Sequence, residues 1–328
     1  MSMAKKLKVG VLYGGPSAER EVSLVTGKAV FENLDRKKYV PALIEMTKDS
    51  RFLMLGKDKR YLDLQNKDRK KFDLIFIALH GTFGEDGCVQ GMLETLGIPY
   101  TGSDTLASAL AMNKIFAGQI YRVNNLPHPE FINVKRGGWK NYCDVVLRDA
   151  AEKIGYPAVV KPADQGSAVG VSIVKNEAEL TAALSKTFKI FPWLMVQKFV
   201  KGKEATCGVL EKDGEIFPLP PTHIKANLGT FYDYKSKYKP GGSTHICPAD
   251  FPAEVNKEIQ TLALKAHKAL GCSGMSRTDI FYGDDGQLWL IETNTIPGMT
   301  STSLLPEAVG QAGISFSAML DLIIKASL

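Results

Sequence analysis

A chain of 328 residues is longer than a single hydrophobic core usually serves, so it should divide into two or three domains. Its composition, 45% hydrophobic and 23% charged, is that of a globular protein and excludes a disordered or fibrous chain. The 41 Lys and Arg against 35 Asp and Glu give a formal charge of +6, but the basic residues are scattered apart from short runs such as those at 57–60 and 67–71, which read as solvated faces and not as a nucleic-acid surface.

In chain order, Leu7 to Tyr13 is a β-type run that breaks into Gly14-Gly15-Pro16-Ser17, and Arg20 to Leu34 then has the pattern of an amphipathic helix. Apolar runs at Val40–Ile44 and Leu74–Leu79 alternate with helical stretches, the signature of parallel β/α layering, so residues 1–103 form an open parallel α/β domain. After Gly102-Ser103-Asp104 one long helical pattern runs to about Arg122, and Pro127 and Pro129 then interrupt the chain. The span 104–197 reads as a small α+β domain: a helix near Val145–Ile154, strands at Pro157–Lys161 and Val171–Val174 around a glycine-rich loop, and a helix near Ala178–Thr187.

The third domain, 198–328, follows the strand Leu194–Val200 and opens with a hairpin, Ala205–Leu210 and Glu215–Leu219 about Asp213-Gly214. The loop 228–248 is rich in Gly, Tyr, Lys and Ser, lacks apolar periodicity and is longer than ordinary connections; it reads as a functional lid more readily than as a disordered stretch. No apolar run reaches the 18 or so residues of a membrane helix, and the start MSMAKKLKVG lacks a signal-type apolar stretch, so a cytoplasmic location away from membranes is expected. The five cysteines, Cys88, Cys143, Cys207, Cys247 and Cys272, are widely spaced without a CxxC, which predicts reduced thiols.

The segment Ser276–Asn294 carries the strongest chemical signal. If Asp285-Gly286 forms a type I′ turn with 284 opposite 287, Asp279 falls opposite Glu292 and Arg277 opposite Asn294, and all four side chains share one face. The same register puts Phe281, Leu288 and Leu290 on that face and Ile280, Tyr282, Trp289 and Ile291 on the other, so the ribbon reads as buried on both sides. Buried like-charged carboxylates need a counter-ion, and the oxygens of Asp279, Glu292 and Asn294 suit magnesium; a cross-strand salt bridge is the plainer alternative.

Other constellations are weaker by themselves. Lys161 ends an apolar strand before the loop Asp164–Gly170, whose backbone N–H groups could lie over phosphates, yet the loop matches neither a P-loop nor a dinucleotide fingerprint. Lys114 falls mid-helix, where a solvated lysine is the ordinary expectation. Ser17 and Glu19 at a strand-loop-helix junction read first as helix caps, with ligand binding at that sheet edge the other reading. His80, on the same edge, is as readily structural as functional. The loop 295–301 holds Gly298, whose N–H can approach a bound group, or it is a plain Pro-Gly turn.

As an ordered set, Gly14-Gly15-Pro16-Ser17-Ala18-Glu19-Arg20-Glu21-Val22-Ser23, His80-Gly81 with Gly84–Gly87, Phe231–Tyr234 with Lys237-Tyr238, and Glu292–Ser303 resemble the D-alanine–D-alanine ligases, and the match runs from about residue 7 to 325. The resemblance implies a three-domain ATP-grasp fold, α/β in class, that holds ATP and two magnesium ions, with manganese as a substitute, in a cytoplasmic homodimer. It implies Lys114 and Lys161 on the phosphates, Gln197, Phe199, Val200 and Glu204 on adenine and ribose, and Asp279, Glu292 and Asn294 on the metals. For the first D-alanine it implies Glu19 and His80 with Ser167, Tyr238 and the adjacent Lys237. Arg277 and the Gly298 N–H correspond to the oxyanion site, and Ser303 with Leu304 to the binder of the second carboxylate.

Two positions depart from the family pattern: Ala168 stands where many relatives carry Ser, and Gln197 where many carry Glu. An amide oxygen can still accept from the adenine amino group. The open alternatives are a relative taking D-lactate or D-serine as second substrate, and a nucleotide-binding module without catalysis. Tyr238 on the lid favours D-alanine, so Tyr238→Phe should slow ligation and relax the choice of second substrate. Products formed from mixed D-alanine and D-lactate check this, and wild-type rates and products would remove Tyr238 from the site.

Overall fold

Strand β1 (Leu7–Gly14) is buried from Val9 onward, as the centre of a parallel sheet covered on both faces must be. In the computed structural model, which describes residues 5–57, 59–166, 169–227 and 242–328, β1 pairs in parallel with β2 (Tyr39–Met46). The antiparallel β3 (Phe52–Met54) and β4 (Arg60–Tyr61) lie beyond β2, and β5 (Leu74–Ile77) pairs in parallel on the other side, giving the order β4-β3-β2-β1-β5. The helix Arg20–Asn33 covers this sheet with Ser23, Thr26, Gly27 and Val30, a stripe at the helical spacing. Its Ser23 hydroxyl accepts from the Gly14 N–H at 2.8 Å and donates to the Ala78 carbonyl at 2.7 Å, tying the carboxyl ends of β1 and β5 together.

The second sheet is antiparallel: β6 (Phe131–Lys135), β7 (Ala158–Pro162), β8 (Ser172–Val174) and β9 (Trp193–Lys198) in the order β6-β9-β7-β8. The third contains β10 (Gly202–Lys212), β11 (Glu215–Pro218), β12 (Thr222–Ala226), β13 (Ser243–Ile246), β14 (Met275–Gly283) and β15 (Leu288–Asn294). Its order is β13-β12-β10-β14-β15, with β11 also paired to β10. All five cysteines are free thiols.

The structure departs from the sequence expectations at three places. The single helical pattern over 105–122 breaks at Asn113, which is extended (φ −88°, ψ 102°) and accepts from the Ile115 and Phe116 N–H groups at 3.1 and 3.2 Å. Asparagine caps a helix better than it continues one, because its short side chain replaces the missing backbone acceptor. The lid expected over 228–248 becomes strand β13 from Ser243, whereas 228–241, with Lys237 and Tyr238, lie outside the described residues, as do Ser167 and Ala168.

The third departure concerns the β14–β15 hairpin. The Gly283 N–H donates to the Gln287 carbonyl at 2.8 Å, so 283 and not 284 stands opposite 287, and Tyr282 pairs with Leu288. A bulge at Ile291 then shifts the ladder, restoring Asp279 opposite Glu292 and Arg277 opposite Asn294. The expected pairs at the site are therefore present, but the shift moves Leu288 and Leu290 to the face of Ile280, where all three are buried in one core cluster.

The last helix, Phe316–Lys325, buries Met319, Leu320, Ile323 and Ile324 in the same cluster as β1 and β5, so the two ends of the chain share a core. At their junction Asp321 accepts from the Tyr39 hydroxyl at 2.5 Å and from the Lys38 ammonium at 3.0 Å. Burial alone would raise its pKa, but the bonds from Tyr39, Lys38 and Lys325 outweigh it and hold the carboxyl below the usual aspartate range. Stability from a depressed carboxyl is complete above its unfolded pKa and is lost as pH falls through the folded value. Asp321→Asn should therefore cost about 2 kcal/mol in denaturant melts at neutral pH, and less as the medium is acidified.

Candidate active site

Period-2 alternation aims one face each of β7 and β14 into a cavity of about 360 Å³. From β7 come Val159 and Lys161, and from β14 come Asp279 and Phe281. Gln197, paired with Val159 on β9, and Glu204, paired with Phe281 on β10, also line it. Phe199 and Val200 in the β9–β10 connection add apolar surface, as do Val171 and Ile173 from the other side. Such a lining accepts a flat apolar ring, with polar groups placed to fix its orientation.

Lys114 is not the solvated mid-helix lysine that its position in the sequence pattern suggested. It begins the helix Lys114–Val123 and belongs to that helix's buried stripe with Ala117, Gly118 and Tyr121. The break at Asn113 lets the Lys114 N–H donate to the Ala163 carbonyl at 2.8 Å, which carries the ammonium to the end of β7. There its Nζ donates to the Gln165 carbonyl at 2.8 Å and lies 3.0 Å from Glu292 Oε2. Lys161 is buried beside it; burial, and then the Lys114 charge, push its pKa down to about 8, against the pull of Glu292. Two lysines sharing Glu292 leave the site short of negative charge, which a polyphosphate would supply.

Asp279 accepts a forked pair of bonds from Arg277, Nε to Oδ1 and Nη2 to Oδ2, each 3.0 Å, and a third from the Thr206 hydroxyl at 2.7 Å. The guanidinium is thus turned away from solvent and forms a salt bridge within β14, to Asp279 two residues along the same strand, in place of the cross-strand bridge that was the plainer reading. Glu292 stands opposite Asp279, and Asn294, opposite Arg277, has a buried Nδ2 without a hydrogen-bond partner. No cluster of three or more His, Cys, Asp or Glu forms among the described residues, so a metal here would draw on the amide of Asn294 as well as the two carboxylates. This all-oxygen set fits magnesium, and a carboxylate bonded to a cation keeps lone pairs for a metal.

At the edge of the first sheet Glu19, and not Ser17, is the N-cap position of the helix Arg20–Asn33. Ser17 accepts from the Glu19 N–H at 3.0 Å, and the Glu19 carboxylate makes no capping bond. That carboxylate instead lies between Gly81 and Gly166. A Cβ at Gly81 would come 2.7 Å from Oε2, and one at Gly166 within 3.3 Å of both oxygens, so glycine is what lets the two loops close on it. His80 is buried, its Nε2 bonded to the Thr26 hydroxyl at 2.9 Å and its Nδ1 3.7 Å from Glu85. Beyond β15, Gly298 packs against Ser303, where a Cβ would meet the hydroxyl at 2.9 Å. Ser303 bonds to Thr300 and precedes the helix Leu304–Gln311, whose N-terminal amides suit a carboxylate.

Sequence reasoning missed Thr206, the Gln165 carbonyl and His128, which bonds to Gln197. A threonine in a strand, a main-chain oxygen and a histidine between two prolines carry no motif.

Family models match over most of the chain: D-ala D-ala ligase N-terminus over residues 8–71 and 57–103, and D-ala D-ala ligase C-terminus over 120–325. The D-alanine–D-alanine ligase of Geobacter sulfurreducens is 42% identical over 323 residues, covering 98% of this chain and 94% of that one. Among solved structures, the VanG D-Ala:D-Ser ligase from Enterococcus faecalis superposes with a TM-score of 0.87 at 33% identity, over 99% of this chain and 100% of that one. The D-alanine–D-alanine ligase from Bacillus anthracis complexed with ATP gives 0.79 at 34%, over 98% and 97%.

Arg277→Lys keeps a charge but loses the planar fork, so turnover should fall on the order of a hundredfold while nucleotide affinity persists. Titration of ATP, thermal melting and turnover on one preparation check this; a lower melting temperature with undiminished turnover would reduce Arg277 to a structural salt bridge.

Proposed function

The chain belongs to the D-alanine–D-alanine ligase family, and from that premise we propose that it joins two D-alanines, with ATP cleaved to ADP and phosphate, for peptidoglycan synthesis. The observation that carries this reading is the buried pair Lys114 and Lys161 around Glu292, at the cavity that Asp279 and Gln197 also line. The adenine would contact Gln197, Phe199 and Val200, the ribose Glu204, and the phosphates the two lysines. Asp279, Glu292 and Asn294 would hold two magnesium ions, or manganese, whose charge offsets that of the phosphates.

Glu19 receives the ammonium of the first D-alanine, with His80, Ser167, Lys237 and Tyr238 completing its site. The carboxylate of that D-alanine attacks the γ-phosphorus; the bond to the β-γ bridging oxygen breaks, ADP leaves, and an acyl phosphate forms. Lys114 and Lys161 hold the moving charge, since positioning and neutralisation supply most of the catalysis in phosphoryl transfer. The second D-alanine, its carboxylate at Ser303 and the Leu304 N–H, attacks the acyl carbon through its free amine. Arg277 and the Gly298 N–H take the oxyanion until phosphate departs. The lid 228–248 would keep water from the acyl phosphate.

Domains at 1–103, 104–197 and 198–328 put ATP between the second and third, and a cytoplasmic homodimer is the expected form. No single helix among the described residues is long and apolar enough to cross a membrane. D-alanine is favoured over D-serine or D-lactate as second substrate, because the sequence relatives carry the D-alanine name.

D-Alanine should trigger ADP release from ATP and yield the dipeptide by mass spectrometry. Glu292→Gln and Asn294→Asp should each shift the magnesium requirement by about tenfold or more while still folding, with Glu292→Gln melting at a lower temperature because it leaves Lys114 and Lys161 without their carboxylate. No ADP release with D-alanine would sink the proposed activity, and unchanged magnesium profiles in both variants would sink the metal assignment.

A further inference from the structure

Gln197 is buried, and its amide is held by a histidine to which no role has been given so far. Gln197 Nε2 lies 3.1 Å from His128 Nε2. The imidazole is enclosed by the Tyr121 ring at 5.8 Å and the Phe131 ring, edge-on at 5.3 Å. Gly118 lies under it, where a Cβ would come within 2.8 Å of the ring. A histidine so enclosed has one orientation. Burial, and then the charges of Lys161 and Arg122, push its pKa down to about 3, so the ring is neutral and carries a single proton.

The position of that proton decides what Gln197 presents to the cavity. The Gln197 atom that faces the ring is its Nε2, which can only donate, so His128 Nε2 accepts and the single proton sits on Nδ1, which has no hydrogen-bond partner among the described residues. Nε2 is then an acceptor, Gln197 must turn its NH2 toward it, and the amide oxygen is left for the ligand.

Resting on the reading of this cavity as a nucleotide site, we propose that His128 is a positioning residue that selects the base. By fixing the Gln197 amide it makes the cavity present an acceptor, which pairs with the 6-amino group of adenine and opposes the 6-oxo group of guanine. A carboxylate at 197 would accept through either oxygen and need no such partner. The amide has a donor end and an acceptor end, and so requires one.

The test is direct titration of ATP and GTP, without D-alanine, into wild type and variants, with melting temperature and kcat alongside. Wild type should prefer ATP. His128→Phe, which cannot accept, lets the amide turn, and the ATP:GTP affinity ratio should fall on the order of tenfold, appearing in KM while kcat at saturating ATP stays within about twofold. His128→Gln, whose side-chain oxygen can replace Nε2, should retain the preference, and Gln197→Glu added to His128→Phe should recover it. If phenylalanine prevents folding, the smaller His128→Leu serves in its place.

An unchanged ratio in folded His128→Phe or His128→Leu, or equal losses for both nucleotides that Gln197→Glu does not repair, would overturn the proposal. Absence of D-alanine-dependent ADP release in wild type would refute the proposed ligase reaction and leave these titrations standing.

Discussion

Two buried lysines meet one partly buried carboxylate, Glu292, at one end of the hairpin β14–β15, and much of the surrounding architecture serves to make that tolerable. Isolated buried charges are costly, and a like-charged pair is more so unless an opposite charge lies between them. Glu292 supplies that charge, 3.0 Å from Lys114. The helix break at Asn113 exists at the same place because an unbroken helix would not bring the Lys114 N–H onto the Ala163 carbonyl. The arrangement is poised for a ligand: Lys161 with its pKa pushed to about 8 holds a proton less firmly than an ordinary lysine, and a bound polyphosphate would restore its grip.

Rigidity behind this cluster comes from hydroxyl groups. Tyr121, two turns beyond Lys114 on the same buried stripe, shares a hydrogen bond with Thr293 at 2.7 Å, and Thr293 shares another with Thr278 at 2.9 Å. Thr278 and Thr293 stand opposite one another, next to Asp279 and Glu292 in the chain, so the helix that delivers the lysine and the ribbon that carries the carboxylates are locked to one another. Thr206 does the same for Asp279 from the neighbouring strand. Neutral hydroxyls can both donate and accept, so they satisfy one another in the interior without adding charge.

The hairpin shows how a sequence argument can reach the right pairs by an incomplete route. Asp285-Gly286 does mark the turn, yet Gly283 closes it and displaces the ladder by one residue, and only the bulge at Ile291 brings Asp279 back opposite Glu292. For the same reason Leu288 and Leu290 face the core beside Ile280 and not the site. A bulge depends on what packs above and below the strand, and local residue preference does not encode it.

By itself the sequence determined the α/β class, the strand-loop-helix at the N-terminus, most strand positions, and, through ordered motifs, the ligase family with its candidate carboxylates and lysines. Those are properties of periodicity, turn chemistry and residue identity, which are local. Only the tertiary structure decided that Lys114 is buried and paired, that Glu19 is enclosed by Gly81 and Gly166, that the last helix shares a core with the first strand, and that His128 holds Gln197. Each of these joins residues distant in the chain, and burial and charge pairing between such residues are settled only when whole elements pack.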